Sequence, residues 1–170
     1  MNKTILIILV SLLAGGGLIF WSYNSTKTSS QEQNLVSPSG SGSMMLTATE
    51  TNYDFGEVSM AKGLVEHKFT LKNNSSEAVK IGRVETSCMC TVAFLLSKDG
   101  KEVGPFGMPG HGGPAGSANS IVNPGDEVIV RAVFDPSAHG PAGVGPIERQ
   151  IALEVGGEPM LLNFKAVVKP

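Results

Sequence analysis

An alternation of apolar and polar residues between Val65 and Lys72 is the feature that most constrains how this chain can fold. One face of this segment carries Val65, His67, Phe69 and Leu71. The opposite face is polar and charged. A period of two residues is the repeat of a half-buried β-strand and does not fit the 3.6-residue repeat of a helix. We therefore predict a strand whose inward row includes His67 as a hydrogen-bonded core residue.

Further strands are predicted where short β-prone segments lie between turn signals. These segments are residues 79–84, 91–96, 127–134, 150–155 and 161–168. Asn123-Pro124-Gly125-Asp126 is a typical turn sequence, and Gly156-Gly157 has the spacing of a hairpin. The chain also contains 21 glycines and 10 prolines, which disfavours a helical bundle. About seven short strands between turns predict an all-β, immunoglobulin-like β-sandwich.

The N-terminal residues predict a membrane anchor. Residues 5–21 are apolar and uncharged, and as a helix they would span about 26 Å, close to the thickness of a bilayer core. Trp21 lies at the end of this segment and Tyr23 just after it, as is typical of the membrane interface. The alternative is a cleaved signal peptide, which has small residues at its cleavage site. Here the small residues 14–17 are followed by more apolar residues, which disfavours cleavage. We predict one transmembrane helix in residues 1–21, with the remaining chain on the extracytoplasmic side of the cell membrane.

Two further segments complete the predicted organisation. Residues 22–43 are rich in serine, threonine and glycine, which is typical of a flexible linker. Residues 44–170 are long enough to form one domain with its own core. The formal net charge of −2 gives no electrostatic reason to bind nucleic acid.

Ser87-Cys88-Met89-Cys90-Thr91 is the sharpest chemical motif, because it contains both cysteines of the chain. In an extended strand, residues two apart share a face, so the two sulfurs would lie side by side with Met89 opposite. Three interpretations stay open. In the first, the cysteines are small buried core residues. In the second, they form a disulfide, which needs a kink because the Cα atoms of extended residues two apart lie about 6.5–7 Å from each other. In the third, they are ligands of a soft metal such as Cu(I).

Two glycine-rich loops contain the remaining histidines. Residues 97–124 show no strand pattern and include Met108 and His111, which could bind copper. The second loop, residues 135–146, includes His139. In a sandwich, this second loop would share an end with the cysteines, so His139 is the better candidate for their neighbour. Long loops of this kind are functional or are simple insertions.

The sequence contains no motif that is typical of catalysis. No serine occupies a G-x-S-x-G elbow, no phosphate-binding glycine loop is present, and no acidic pair suggests glycosidase chemistry. An enzyme is therefore not predicted, and neither is a resident cofactor.

An ordered set of motifs resembles a known family. The motifs are Tyr53-Asp54-Phe55-Gly56-Glu57-Val58, Val65-Glu66-His67-Lys68-Phe69, Asn73-Asn74, Ser87-Cys88-Met89-Cys90-Thr91, Asn123-Pro124-Gly125-Asp126 and Phe134-Asp135-Pro136. Their order from about Leu46 to Val168 resembles the bacterial domain-of-unknown-function family fifteen-seventy-three, which looks like the ASH and Hydin immunoglobulin-like domains. The resemblance implies an exported or membrane-anchored sandwich without established catalytic activity. The family usually has glycine where this chain has Met89.

Together these observations predict a membrane-anchored extracytoplasmic module that binds an unknown protein or envelope partner through a sheet edge or the long loops. Its membrane contact would be residues 5–21. The alternative function is copper handling or thiol redox chemistry at Cys88 and Cys90, with Met89 and His139 as further candidate residues.

Overall fold

Strands account for nearly all regular structure in the part of the chain that the structure describes. The structure is a computed structural model that describes residues 45–111 and 116–170. The strands are β1 Leu46–Ala48, β2 Asn52–Ser59, β3 Val65–Asn73, β4 Val79–Thr86, β5 Thr91–Ser97, β6 Glu102–Phe106, β7 Gly116–Val122, β8 Glu127–Phe134, β9 Gly145–Val155 and β10 Glu158–Lys169. Short 3-10 helices occupy Met60–Lys62 and Gly140–Gly143.

Two five-stranded sheets pack into a sandwich. One sheet has the order β1-β3-β8-β5-β6 and the other β2-β10-β9-β4-β7. Strand β2 pairs with β10 in parallel, and the other pairs are antiparallel. The all-β sandwich predicted from the sequence is therefore confirmed.

The core lies between the sheets, where alternate residues of each strand point inward. Strand β3 supplies Phe69 and Leu71, both fully buried, as its period of two predicts. His67 belongs to the same row and is half-buried. Its ring stacks on Tyr53 at 3.5 Å between centroids, and its Nε2 lies 2.8 Å from Glu50 Oε1.

The strand count and one loop differ from the sequence prediction. The described residues form ten strands, where about seven were predicted. Strands β6 and β7 lie inside residues 97–124, for which no strand was predicted. β6 is a short edge strand with only Phe106 buried, and β7 is a polar strand with only Ala118 and Val122 buried, so neither shows a clear apolar period. The Gly156-Gly157 hairpin is confirmed, with φ angles of 60° and 93°.

The N-terminal predictions lie outside the described residues. Both the anchor, residues 1–21, and the linker, residues 22–43, precede residue 45, where the description begins. Among the residues that are described, none forms a helix long and apolar enough to cross a bilayer.

Two connections meet at one end of the sandwich because of the strand order. Strand β4 lies beside β9, with Thr86 opposite Ile151, and β5 lies beside β8, with Thr91 opposite Phe134. The β4–β5 and β8–β9 connections therefore both cross between the sheets at this end. The first contains the cysteines, and the second contains His139.

Candidate functional site

The two cysteines lie in a turn, which corrects the prediction that they share one face of an extended strand. Residues 87–90 connect β4 to β5, and the N–H of Thr91 donates to the carbonyl oxygen of Cys88 at 3.1 Å. This turn brings the two Cα atoms to 5.2 Å, well inside the range that permits a bridge. Cys88 and Cys90 are joined as a disulfide.

Hydrogen bonds to both neighbouring strands hold the cysteine turn in place. The buried hydroxyl of Thr86 faces the carbonyl oxygens of Cys88 at 3.1 Å and Thr91 at 3.0 Å. Ser87 forms a reciprocal pair with Gln150: its N–H donates to the Gln150 carbonyl at 2.9 Å, and its Oγ accepts from the Gln150 N–H at 2.9 Å. The turn is thus attached to β9 as well as to its own strands.

His139 lies beside the disulfide, at the end of the molecule where the sequence placed it. Its Nε2 is 3.1 Å from Cys88 Sγ. A disulfide sulfur has no hydrogen, so in this state the imidazole is the donor. The loop is fixed at its start, because the N–H of Asp135 donates to the Cys90 carbonyl at 2.9 Å. That His139 acts as a ligand stays a prediction.

Arg149 contacts the second sulfur from the first half of β9. Its Nε donates to Cys90 Sγ at 3.2 Å. Cys90 is 2% exposed and Cys88 is 8% exposed, so the guanidinium meets a buried sulfur. A positive charge in this position would stabilise a thiolate if the bridge were reduced.

The bridge and the reduced pair have different chemistry. As a disulfide, the pair can exchange with an attacking thiolate. As two thiols, it joins His139 in a three-residue group whose donor atoms all lie within 4.8 Å of one another. The buried-thiol interpretation does not describe the structure, because the two sulfurs are bonded.

The other predicted residues lie apart from this group. Met89 is at the tip of the turn and is 53% exposed. Its φ is not positive, because Asn119 is the sole non-glycine residue with positive φ in the described ranges. His111 is exposed in its own loop and is not part of the three-residue group.

A groove of about 660 Å³ whose lining residues are mostly polar or charged begins next to the cysteine turn. Side chains from three adjacent strands form a ladder of amides in it: Gln150 Nε2 donates to Asn163 Oδ1 at 3.0 Å, and Asn163 Nδ2 donates to Asn52 Oδ1 at 3.2 Å. Lys165 Nζ lies 3.3 Å from Asp54 Oδ2 in the next row. The N–H of Gly56, 2.8 Å from the Asp54 carboxylate, and then Lys165 hold the pKa of Asp54 below its ordinary value.

Sequence reasoning missed Arg149, Gln150 and the amide ladder. These residues lie far along the chain from the cysteines and gain their role only when β9 pairs with β4. The alternation within β9 and β10 shows that Gln150 and Asn163 face outward, but it does not show that they are partners. Only the register, in which Asn163 lies opposite Gln150, supplies that information.

The family model described as "Protein of unknown function (DUF1573)" matches residues 46–102, a segment that includes the cysteine turn. The family resemblance is confirmed. No curated protein sequence matches significantly.

Solved structures show similarity of fold at low sequence identity. A protein of unknown function from Porphyromonas gingivalis W83 has a TM-score of 0.53 and 13% identity, over 72% of this chain and 46% of that one. The ASH/PapD-like domain 7 of human CEP192 has a TM-score of 0.46 and 11% identity, over 74% and 86% of the two chains. The periplasmic chaperone SfaE has a TM-score of 0.38 and 9% identity, over 74% and 57%. The first similarity agrees with the two-sheet fold, and the matched region spans less than half of that protein.

Proposed function

We propose that residues 44–170 are an extracytoplasmic binding module, held at the membrane by residues 1–21, which recognises a protein partner without a catalytic step. The observation that carries this proposal is the groove lined by the amide ladder of Asn52, Asn163 and Gln150. Amide side chains offer both donors and acceptors, so they suit the backbone and polar side chains of another protein. The neighbouring pair of Asp54 and Lys165 adds charges of both signs at the rim.

The strand arrangement supports a recognition role for this surface. The groove lies on β2, β10 and β9, which are long paired strands, so its side chains stand on a rigid support. Ser87 and Arg149 extend its lining to the cysteine turn. A partner in the groove would therefore also contact the part of the molecule where the two connections meet.

Photo-crosslinking tests the proposal. A benzophenone amino acid replaces Asn52, which is exposed in the groove, and in a matched variant it replaces Lys68, which is exposed on the other sheet. In envelope extracts we expect one discrete adduct from position 52, which a Gln150→Ala, Asn163→Ala double change reduces at least several-fold. Equal adducts from both positions, or an adduct that the double change leaves intact, would contradict recognition through the groove.

A second candidate function, thiol–disulfide exchange, is favoured by the contacts at the bridge. Cys88 Sγ lies 3.1 Å from His139 Nε2, and Cys90 Sγ lies 3.2 Å from Arg149 Nε. An external dithiol would supply two electrons and two protons, leaving this pair as two thiols and becoming a disulfide itself. The positive charge of Arg149 would stabilise the thiolate that leaves.

Counting thiols after incubation with a dithiol protein tests this second function. We expect zero thiols before incubation and two after it, with a matching loss from the reductant. If the double variant Cys88→Ser, Cys90→Ser still gives the adduct at position 52, partner binding and exchange are separate functions. A pair that stays oxidised in the presence of excess dithiol would refute exchange.

A further inference from the structure

We propose that the reduced form of the site binds one Cu(I) ion through Cys88, Cys90 and His139. This inference goes beyond partner binding and needs only the two-electron reduction described for the second candidate function. One donor atom from each of these three residues lies within 4.8 Å of the others. Two thiolates and an imidazole form a donor set that suits a soft, singly charged ion.

The turn and the loop place the three donors without a large rearrangement. Two thiolates on one metal, each at about 2.3 Å, lie about 4 Å apart. The Cα separation of 5.2 Å between Cys88 and Cys90 permits that spacing after the S–S bond opens. His139 Nε2 already faces the pair, at 3.1 Å from Cys88 Sγ.

The His139 loop is built so that the ring stays at the site. Both the N–H and the hydroxyl of Ser137 donate to Asp135 Oδ1, at 2.8 and 2.6 Å. The backbone N–H of Asp135 is itself bonded to Cys90. A Cβ at position 143 would lie 3.1 Å from the Cβ of His139, so Gly143 leaves the space that the histidine occupies.

Charge balance favours Cu(I) over Zn(II). Two thiolates and Cu(I) carry a net charge of −1, and the guanidinium of Arg149, 3.2 Å from Cys90 Sγ, brings the site to neutrality around its two buried cysteines. Zn(II) with the same residues would leave an excess positive charge. Zn(II) also favours four ligands, whereas the group found among the described residues supplies three.

The proton and electron balance links this binding to the state of the bridge. A dithiol first reduces the disulfide to two thiols and becomes a disulfide itself. Cu(I) then replaces the two thiol protons, which pass to solvent. The hydrogen that Nε2 of His139 donates to the disulfide moves to Nδ1 by exchange with solvent, and the freed lone pair of Nε2 binds the Cu(I). The copper stays Cu(I) throughout, and the oxidised pair offers no thiolate to bind it.

Competition with a chromophoric chelator tests the site. The full chain, reduced and desalted without oxygen, is titrated with the Cu(I) complex of bicinchoninate, alongside the oxidised chain. Variants are Cys88→Ser, His139→Ala and, as a matched histidine control, His111→Ala. A urea unfolding curve of each variant shows whether it is folded, and X-ray absorption reports the atoms around the copper.

We expect one Cu(I) per reduced chain, bound by two sulfurs and one nitrogen. His139→Ala should weaken binding about tenfold or more, Cys88→Ser should lose it, and His111→Ala should leave it unchanged. The inference is overturned if the oxidised chain binds equally, if folded His139→Ala binds as tightly as the parent, or if Zn(II) displaces the copper at equal concentration. Neither result for copper alters the expected adduct at position 52, so the two proposals fail separately.

Discussion

Asn73 is buried at the end of β3, and its side chain joins two turns. Its Nδ2 donates to the carbonyl oxygens of Glu77 and Val122, both at 2.8 Å. Its Oδ1 accepts from the N–H and the hydroxyl of Ser75, at 2.9 and 2.7 Å. The residue is fully buried, and Asn73→Ala would remove all four bonds at once.

The cost of Asn73→Ala follows from the burial of each bond. The bond to Val122 is buried, so its loss orphans a carbonyl at a cost of about 1.5 kcal/mol. The other three bonds are part-buried and contribute about 0.5 kcal/mol each. We therefore expect a loss of about 3 kcal/mol, which lowers the urea midpoint by about 1–3 M.

Asn74→Ala is the matched control for this experiment. Asn74 is exposed and makes one side-chain bond, to Thr47 Oγ1 at 3.1 Å, so its loss should cost well under 1 kcal/mol. The assay is urea unfolding followed by circular dichroism, with the disulfide kept intact in all three proteins. If the midpoints of the two variants agree, the side chain of Asn73 does not join the turns as argued.

Three further predictions concern single substitutions. Arg149→Gln should slow the alkylation of reduced Cys90 several-fold at neutral pH, because the guanidinium whose Nε lies 3.2 Å from Cys90 Sγ no longer stabilises the thiolate. Mass spectrometry measures the alkylation rate, and an unchanged rate would refute this prediction. Lys98→Met should raise the pKa of Asp126, which the hydrogen bond from Lys98, 2.6 Å away, holds below its ordinary value. A carboxyl whose pKa is lowered in the folded state stabilises the fold at higher pH, and this contribution is lost as the pH falls through the folded pKa. The Lys98→Met variant should therefore lose less stability than the parent on acidification. NMR titration measures the pKa of Asp126, and unfolding curves at each pH measure the stability. Gly104→Ala should lower the free energy of unfolding by about 1–3 kcal/mol in a urea unfolding curve, because its φ is 139° and a Cβ would lie 2.9 Å from the Ala93 carbonyl oxygen.

The fold was predictable where one local signal decided the structure. Strand β3 has a strict period of two, and its core residues Phe69 and Leu71 are fully buried as that period requires. The hairpin at Gly156-Gly157 needs positive φ at both positions, and glycine adopts it without strain. The local conformation at these positions follows from the residue types themselves, so it can be predicted without knowing which distant residues they contact.

The missed strands lack such a signal. Strand β7 buries only Ala118 and Val122, because it is an edge strand that pairs with β4 alone. Strand β1 has three residues, of which only Leu46 is buried. A short edge strand is stabilised mainly by backbone hydrogen bonds to its neighbour, and its side chains show no pattern from which that pairing could be predicted.

Cys88, Cys90 and His139 of the candidate site were singled out from the sequence, but their geometry, Arg149 and the amide ladder were not. Cys88 and Cys90 were expected to share one face of an extended strand, yet the chain turns between Thr86 and Thr91. Threonine and serine side chains can bond the nearby backbone and so compete with a strand ladder. The hydroxyl of Thr86, which faces the carbonyl oxygens of Cys88 and Thr91, is such a competitor. Because the turn shortens the Cα separation to 5.2 Å, a pair that would be too far apart in a strand becomes able to form a bridge or to share a metal.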